Sequence, residues 1–287
     1  MTDHPDHFAA FSFVDHITEF TPGTSARGTF HVPTAIHAFP ACLVAEAVGQ
    51  LAAWVSMAHI EYRGRPVAAL AGETRFLGNV VPGDEIQLSV EIDDVDDNAV
   101  SYRGSADVNG KRVIELNDCL GPMLPVADFD APEALRERFA LLCGAGAPAD
   151  RFKGVVAPIV ETVEHVPGQS VRAKLHVPAS ASFFADHFPR RPVFPATLLL
   201  DSQIELATLL AREANAAPGV PDPVPSRMTH VKMRAFILPG QEVDSRAELA
   251  GTQEGTTRIA LSARAGDGKT IATARLELVA RRARRHG

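Results

Sequence analysis

"FPACLVAEAVGQLAAW", Phe39–Trp54, carries a single charge in sixteen residues. A helix this apolar on nearly every side has to be enclosed by other structure. Extended to Ala58, it is apolar enough to raise the question of a membrane span. Glu46 and Gln50 are costly in hydrocarbon, so we read it as the central helix of a soluble core. It begins at Pro40, a residue well tolerated at a helix start. The same pattern returns 155 residues later as "FPATLLLDSQIELATL", Phe194–Leu209, again opening on a proline, Pro195.

The helices belong to a longer repeat. Upstream of the first, "TEFTPGTSARGTFHVP" (Thr18–Pro33) matches "VEHVPGQSVRAKLHVP" (Val163–Pro178) at eight of sixteen positions with a constant offset of 145. The second copy therefore has ten more residues between its matched blocks, within "ASASFFADHFPRRPV". Downstream, "VVPGDEIQLSVEI" returns as "ILPGQEVDSRAEL", and the turn "NGK" as "DGK". Segments such as "EIQLSVEI" and "TRIALSARA" alternate with period two, the pattern of an antiparallel sheet. The sequence thus predicts an α+β chain of two tandem units, residues 1–126 and 154–287, each a sheet wrapped around one long helix. Residues 127–153 read as a linker holding a short helix, "APEALRERFALLCG".

Composition agrees. The chain has 287 residues, 46% of them hydrophobic, enough for a large core. "MTDHPDHFAAFSF" shows no basic-then-apolar leader. Cys42, Cys119 and Cys143 form no metal-spaced cluster and cannot all pair, which fits a reducing compartment, most simply the cytoplasm. Residues 1–150 hold 9 Lys+Arg against 22 Asp+Glu, and residues 151–287 hold 19 against 13. Opposite halves of this kind attract each other, or the basic half receives an acidic partner. The tail "RRARRHG" reads as a solvated basic terminus rather than a nucleic-acid site.

"DHFPRRPVFPATLLLDSQ" resembles the signature of the β-hydroxyacyl-acyl carrier protein dehydratases, the FabA/FabZ family. His187 is followed fourteen positions later by the helix carboxylate Asp201, and "VKMRAFILPGQEV" is similar to the family's strand into Pro-Gly-Asp. The resemblance implies two hot-dog domains forming a pseudo-dimer, with each site built across the pair. It also implies dehydration of a (3R)-3-hydroxyacyl thioester, with acyl carrier protein as partner and no metal or redox cofactor. The chain departs from the family at Arg190 and Ala196, where glycine is usual.

Comparing the copies changes the residue assignment. The first copy lacks the ten-residue segment and so has no counterpart of His187, but it keeps Glu46 at the position matching Asp201. The expected catalytic pair is therefore His187 from the second copy and Glu46 from the first. Gln50 lies one helical turn beyond Glu46 and can orient it. In the second copy Glu205 takes that place, and like charges at this spacing repel. Asp201 is thus expected to be a vestige or an alternative acid. The backbone N–H of Ala196, at a helix start, is placed to meet the thioester oxygen. Phe183, Phe184, Phe188 and Phe194 are candidate walls of an acyl tunnel. Arg190 and Arg191 are candidate contacts for the phosphopantetheine phosphate or an acidic carrier. Membrane and nucleic-acid partners are not expected, and a homodimer of pseudo-dimers is allowed. A hot-dog thioesterase, a catalytically silent acyl-binding subunit and an isomerase side activity stay open as rivals.

Overall fold

A computed structural model of the chain describes residues 10–148, 151–216 and 219–280. The basic tail, residues 281–287, lies outside the described residues. The first copy opens with the hairpin β1 (His16–Thr21) and β2 (Ser25–His31), followed by the helix α1 (Ala41–His59). Strands β3 (Gly64–Pro66), β4 (Leu70–Phe76), β5 (Glu85–Val95), β6 (Ala99–Val108) and β7 (Lys111–Pro125) complete it. The helix α2 (Pro132–Cys143) lies between the copies. The second copy repeats the order with β8 (Ile159–Val166), β9 (Ser170–His176), α3 (Ala196–Ala214), β10 (Pro223–Met233), β11 (Glu242–Gln253), β12 (Thr256–Ala265) and β13 (Thr270–Ala280).

All neighbouring strands pair antiparallel. Apart from β3, which pairs with β7, they form one continuous sheet in the order β1-β2-β5-β6-β7-β4-β10-β13-β12-β11-β9-β8. The second half of that order mirrors the first, as expected of two like units meeting edge to edge. The seam is β4 against β10, in register at Arg75–Arg227 and Ala71–Val231. There Glu73 accepts from Arg75 at 2.9 Å and Arg227 at 2.5 Å. Joining two edge strands removes two exposed rows of unpaired backbone groups.

Period two is visible in the burial. Ile86, Leu88 and Val90 of β5 point to the core, as do Ile259, Leu261 and Ala263 of β12. The two central helices are each nineteen residues long and start at equivalent positions. Pro40 and Pro195 are the residues just before them, with φ of −59° and −60°. Their carbonyls accept the first-turn N–H groups of Leu43 and Leu198 at 2.9 and 3.1 Å. The helices pack on each other and under the sheet. At Gly104 the sheet approaches α1 so closely that a Cβ would meet Val48 Cγ1 at 2.5 Å. α1 is long and apolar enough to cross a membrane, but here residues such as Leu43, Ala47, Val48 and Leu51 are packed inside the fold.

Candidate active site

One face of α1 is left half-buried rather than packed against the sheet. It carries Ala45, Glu46, Gly49, Gln50, Ala53 and Trp54, and it forms a wall of a cavity of about 250 Å³. That wall extends from Cys42 to Met57, about 22 Å along the helix at 1.5 Å per residue. The opposing wall is supplied partly by the second copy, through His187, Phe188, Phe194, Ala196 and Thr197. Glu46 and His187 therefore line the same cavity from different copies, whereas Asp201 is not on its wall.

Glu46 is held from both sides. Gln50 Nε2 donates to its Oε1 at 3.1 Å, and Thr197 Oγ1, from the start of α3, donates to its Oε2 at 2.9 Å. Burial raises the Glu46 pKa above the usual carboxylate range, against the opposing pull of Gln50, Thr197 and the Arg65 charge. Gln50 is itself fixed by the N-terminal segment, because its Oε1 accepts from Phe13 N at 2.8 Å and its Nε2 donates to Phe11 O at 3.0 Å.

His187 follows a short 3₁₀ turn, Ser182–Ala185, and its backbone N–H closes on Phe183 O at 2.9 Å. Its Nδ1 lies 2.8 Å from Val193 O. A carbonyl only accepts, so Nδ1 carries the proton and Nε2 keeps its lone pair. Burial is the main cause that lowers the His187 pKa to about 4, assisted by Arg65 and opposed by the Val193 bond and Asp186. The imidazole is thus neutral at physiological pH. The preceding residue, Asp186, is buried and accepts the N–H groups of Ala10 and Phe11, both at 3.0 Å. The Phe11 ring meets the imidazole edge-on at 5.3 Å.

Other expected positions divide. Phe188 and Phe194 line the cavity, but Phe183 and Phe184 do not. The 3₁₀ turn packs the latter two into the core at 1% and 8% exposure, with rings 4.6 Å apart and Phe183 against Phe194 at 5.9 Å. That corrects the tunnel wall expected of them. Ala196 lies on the wall at the first position of α3, where a helix N–H has no intrahelical acceptor. Arg190 and Arg191 are exposed and off the cavity wall. Arg190 donates from Nη1 to Ala127 O at 3.0 Å. Arg191 lies over the rings of Phe129 and Phe236 at 5.7 and 5.3 Å. Asp201 is half-buried beside α1, and its carboxyl, pushed up to about 6 by burial and then by Glu205, forms no hydrogen bond or ion pair among the described residues.

Four features of the site lie outside the sequence reading. Thr197 had a legible signal, since it matches Cys42 at the 155-residue offset. Asp186 and the Ala10–Phe13 segment gave none. Nor did Arg65, whose guanidinium lines the cavity. Among the described residues, no three His, Cys, Asp or Glu side chains converge to hold a metal ion.

Comparison with known proteins accords with this layout. A FabA-like domain matches residues 29–117 and an ApeI-like dehydratase domain matches residues 163–275. The 3-hydroxyacyl-[acyl-carrier-protein] dehydratase FabZ of Clostridium botulinum is 32% identical over 121 residues, covering 38% of this chain and 83% of that protein. A solved structure named as a candidate oleoyl thioesterase from Lactobacillus plantarum superposes with a TM-score of 0.60 at 8% identity, covering 92% of this chain and 100% of that one. A hot-dog protein of unknown function from Alicyclobacillus acidocaldarius gives 0.53 at 14% identity, covering 95% of this chain and 98% of that one. The structural likenesses speak for the double hot-dog fold alone. The sequence likenesses go further: this chain belongs to the FabA/FabZ family of hot-dog dehydratases, as a FabA-like and an ApeI-like domain in tandem.

Proposed function

We propose that the protein dehydrates a (3R)-3-hydroxyacyl thioester to the trans-2-enoyl thioester, using a single composite site. The supporting observation is that a neutral His187 and a pKa-raised Glu46, from different copies, line one cavity. His187 Nε2 takes the proton α to the carbonyl. The electron pair forms the Cα=Cβ bond as the Cβ–O bond breaks. Glu46 gives its proton to the departing hydroxyl, which leaves as water. A proton then returns from His187 to Glu46 through solvent to reset the pair. The Ala196 N–H stabilises charge on the thioester oxygen. The steps are proton transfers and one elimination with no net change of oxidation state, and they call for no metal or redox cofactor. The wall along α1 accommodates an extended acyl chain. The substrate is carried on phosphopantetheine of an acyl carrier protein, and the exposed Arg190 and Arg191 suit its phosphate or acidic surface.

Incubation with a 3-hydroxyacyl carrier protein, followed by mass spectrometry, tests this reading. The readout is the mass of the acyl group, which falls by that of one water when the β-hydroxyl is eliminated. Water loss without thiol release is the expected result. Free thiol release in its place overturns the reading in favour of a thioesterase, and no change to the acyl group favours a silent acyl-binding subunit.

A further inference from the structure

Phe188, directly after His187, has a backbone φ of +62°. That is the left-handed region, which a bulky aromatic residue rarely adopts and which persists only when its surroundings enforce it. The ring is 7% exposed and meets the His187 imidazole edge-on at 4.4 Å. The strain at Phe188 therefore sits on the residue whose ring flanks the base.

The enforcing contacts come from outside the second copy. Arg65, on β3 of the first copy, places its guanidinium carbon 4.4 Å from the Phe188 ring centroid. The guanidinium is anchored: Nη1 donates to Asp130 Oδ2 at 2.5 Å, and Arg138 of α2 donates to the same oxygen at 2.7 Å. Asp130 is 3% exposed, and its other oxygen accepts Ala131 N at 3.0 Å. Phe129, the residue before it, adds its ring 5.0 Å from Phe188 and accepts Arg190 N–H at 3.0 Å through its carbonyl. A buried ion triad is expensive to assemble, and both of its arginines, Arg65 and Arg138, line the cavity.

We propose that Arg65 is a positioning residue for His187: anchored on Asp130, its guanidinium clamps the strained Phe188 and thereby fixes the imidazole against the cavity. The second copy supplies the base, and the first copy holds it in place. Two charged groups act on His187, Arg65 from β3 and Asp186 from its own loop, while Glu46 of α1 lines the same cavity. Arg138 and Asp130 stand behind Arg65. Of these, Arg65 is the cation that opposes an imidazolium, which accords with the lowered pKa. The inference deepens the dehydratase reading and rests on it for its kinetic consequence, but the charge state of His187 is readable without turnover.

The test compares wild type with Arg65→Met, Arg65→Lys and Phe188→Leu, each checked for folding by circular dichroism. The His187 imidazole is titrated by NMR without substrate, its signal assigned from its loss in His187→Gln. Then kcat and KM are measured with a 3-hydroxyacyl thioester. Arg65→Met should move the His187 titration to higher pH, because the cation that opposes the imidazolium is gone. It should also lower kcat roughly 10- to 100-fold, as expected for a displaced catalytic group, with KM within about twofold. Arg65→Lys keeps the charge but not the flat face, so the titration should return to wild type while kcat recovers only in part. Phe188→Leu keeps Arg65 and should reproduce the kcat loss, and it serves as the test if Arg65→Met does not fold. A folded Arg65→Met with wild-type titration and kcat overturns the proposal, as does wild-type kcat in Phe188→Leu. Absence of dehydration in the wild type removes the dehydratase reading instead, and the NMR comparison then stands alone.

Discussion

Thr197 Oγ1 donates a hydrogen bond to Glu46 Oε2 at 2.9 Å, joining residues 151 positions apart across the two copies. Its pseudo-symmetric counterpart is Cys42 facing Asp201, each offset by 155 from Thr197 and Glu46 respectively. Thr197 hydrogen-bonds the carboxyl group of the opposite helix, whereas Cys42 only feels the charge of Asp201. The thiol of Cys42 is held well above its usual range by burial, then by Asp201 and Glu46. The hydroxyl supports a carboxyl group and the thiol is a weak donor. Under the proposed dehydratase reading, that chemical difference separates the working carboxyl group, Glu46, from its counterpart, Asp201.

The Thr197 bond has a sign. It lowers the Glu46 pKa against the effect of burial. Thr197→Val keeps the shape and removes the donor, so the Glu46 pKa should rise further. If Glu46 acts as the acid, the alkaline limb of kcat/KM moves to higher pH. The acid limb, set by His187 at about 4, stays in place. Loss of one hydrogen bond to the carboxyl group should cost about 1 kcal/mol, or about fivefold in kcat/KM at neutral pH. A pH–rate profile from pH 4 to 10 measures both limbs, and an unmoved alkaline limb removes Glu46 from the acid role.

The composite site makes an asymmetric prediction for the carboxylates. Glu46→Gln and His187→Ala should each lower kcat by about 10²- to 10⁴-fold, the range for a lost general acid or base. Asp201→Asn should stay within about twofold. Single-turnover rates on a 3-hydroxyacyl thioester compare the three directly. A large loss in Asp201→Asn with Glu46→Gln active would place the site in the other half of the pseudo-dimer.

Asp201 should instead register in stability. Its pKa is about 6 in the folded chain against an ordinary 3.8. The folded state therefore binds more protons than the unfolded state between those values. Stability contributed by the protonated form is fully present below 3.8 and is lost as pH rises through about 6. Asp201→Asn removes this loss and should be more stable than wild type by about 1–3 kcal/mol at pH 7.5, with no gain near pH 4. His187 acts oppositely, losing stability as pH falls from 6.5 toward 4, but it is common to both proteins and cancels in the difference. Urea unfolding of both at the two pH values checks the prediction.

Sequence carried the repeated architecture because periodicity is a property of neighbours along the chain. The central helices, the alternating strands and the turns all follow from local pattern. That His187 and Glu46 would face one cavity from different copies was also legible, through a segment missing from one copy rather than through either motif alone. Arg65 was not legible. It lies in the short "RGRPV" stretch, and its meaning depends on Asp130 and Phe188, which approach it only in the folded pseudo-dimer. The tunnel residues failed for a related reason. Four phenylalanines in one segment look equivalent in sequence, but a 3₁₀ turn sends Phe183 and Phe184 into the core and leaves Phe188 and Phe194 on the wall.

The N-terminal segment gives the last prediction. Ala10 and Phe11 N–H groups bond Asp186, next to the base. Phe13 N–H and Phe11 O bond Gln50, next to the acid. One stretch of four residues thus ties both halves of the site together. Gln50→Leu keeps the bulk but strands the Phe13 N–H, the Phe11 carbonyl and one side of Glu46. A buried backbone group left without a partner costs about 1–3 kcal/mol, so the variant should melt earlier and the Phe13 amide should exchange faster with deuterium. Glu46 loses a donor that lowers its pKa, so its alkaline limb should shift upward, as in Thr197→Val. Because the carboxyl group also loses its orientation, kcat should fall by roughly tenfold or more. Gln50→Glu keeps an acceptor for Phe13 but repels Glu46 at the same spacing as Asp201 and Glu205. It should retain slow exchange at Phe13 while losing activity. If both variants kept wild-type kcat, the amide would have no part in holding the acid, and the N-terminal segment would be packing alone.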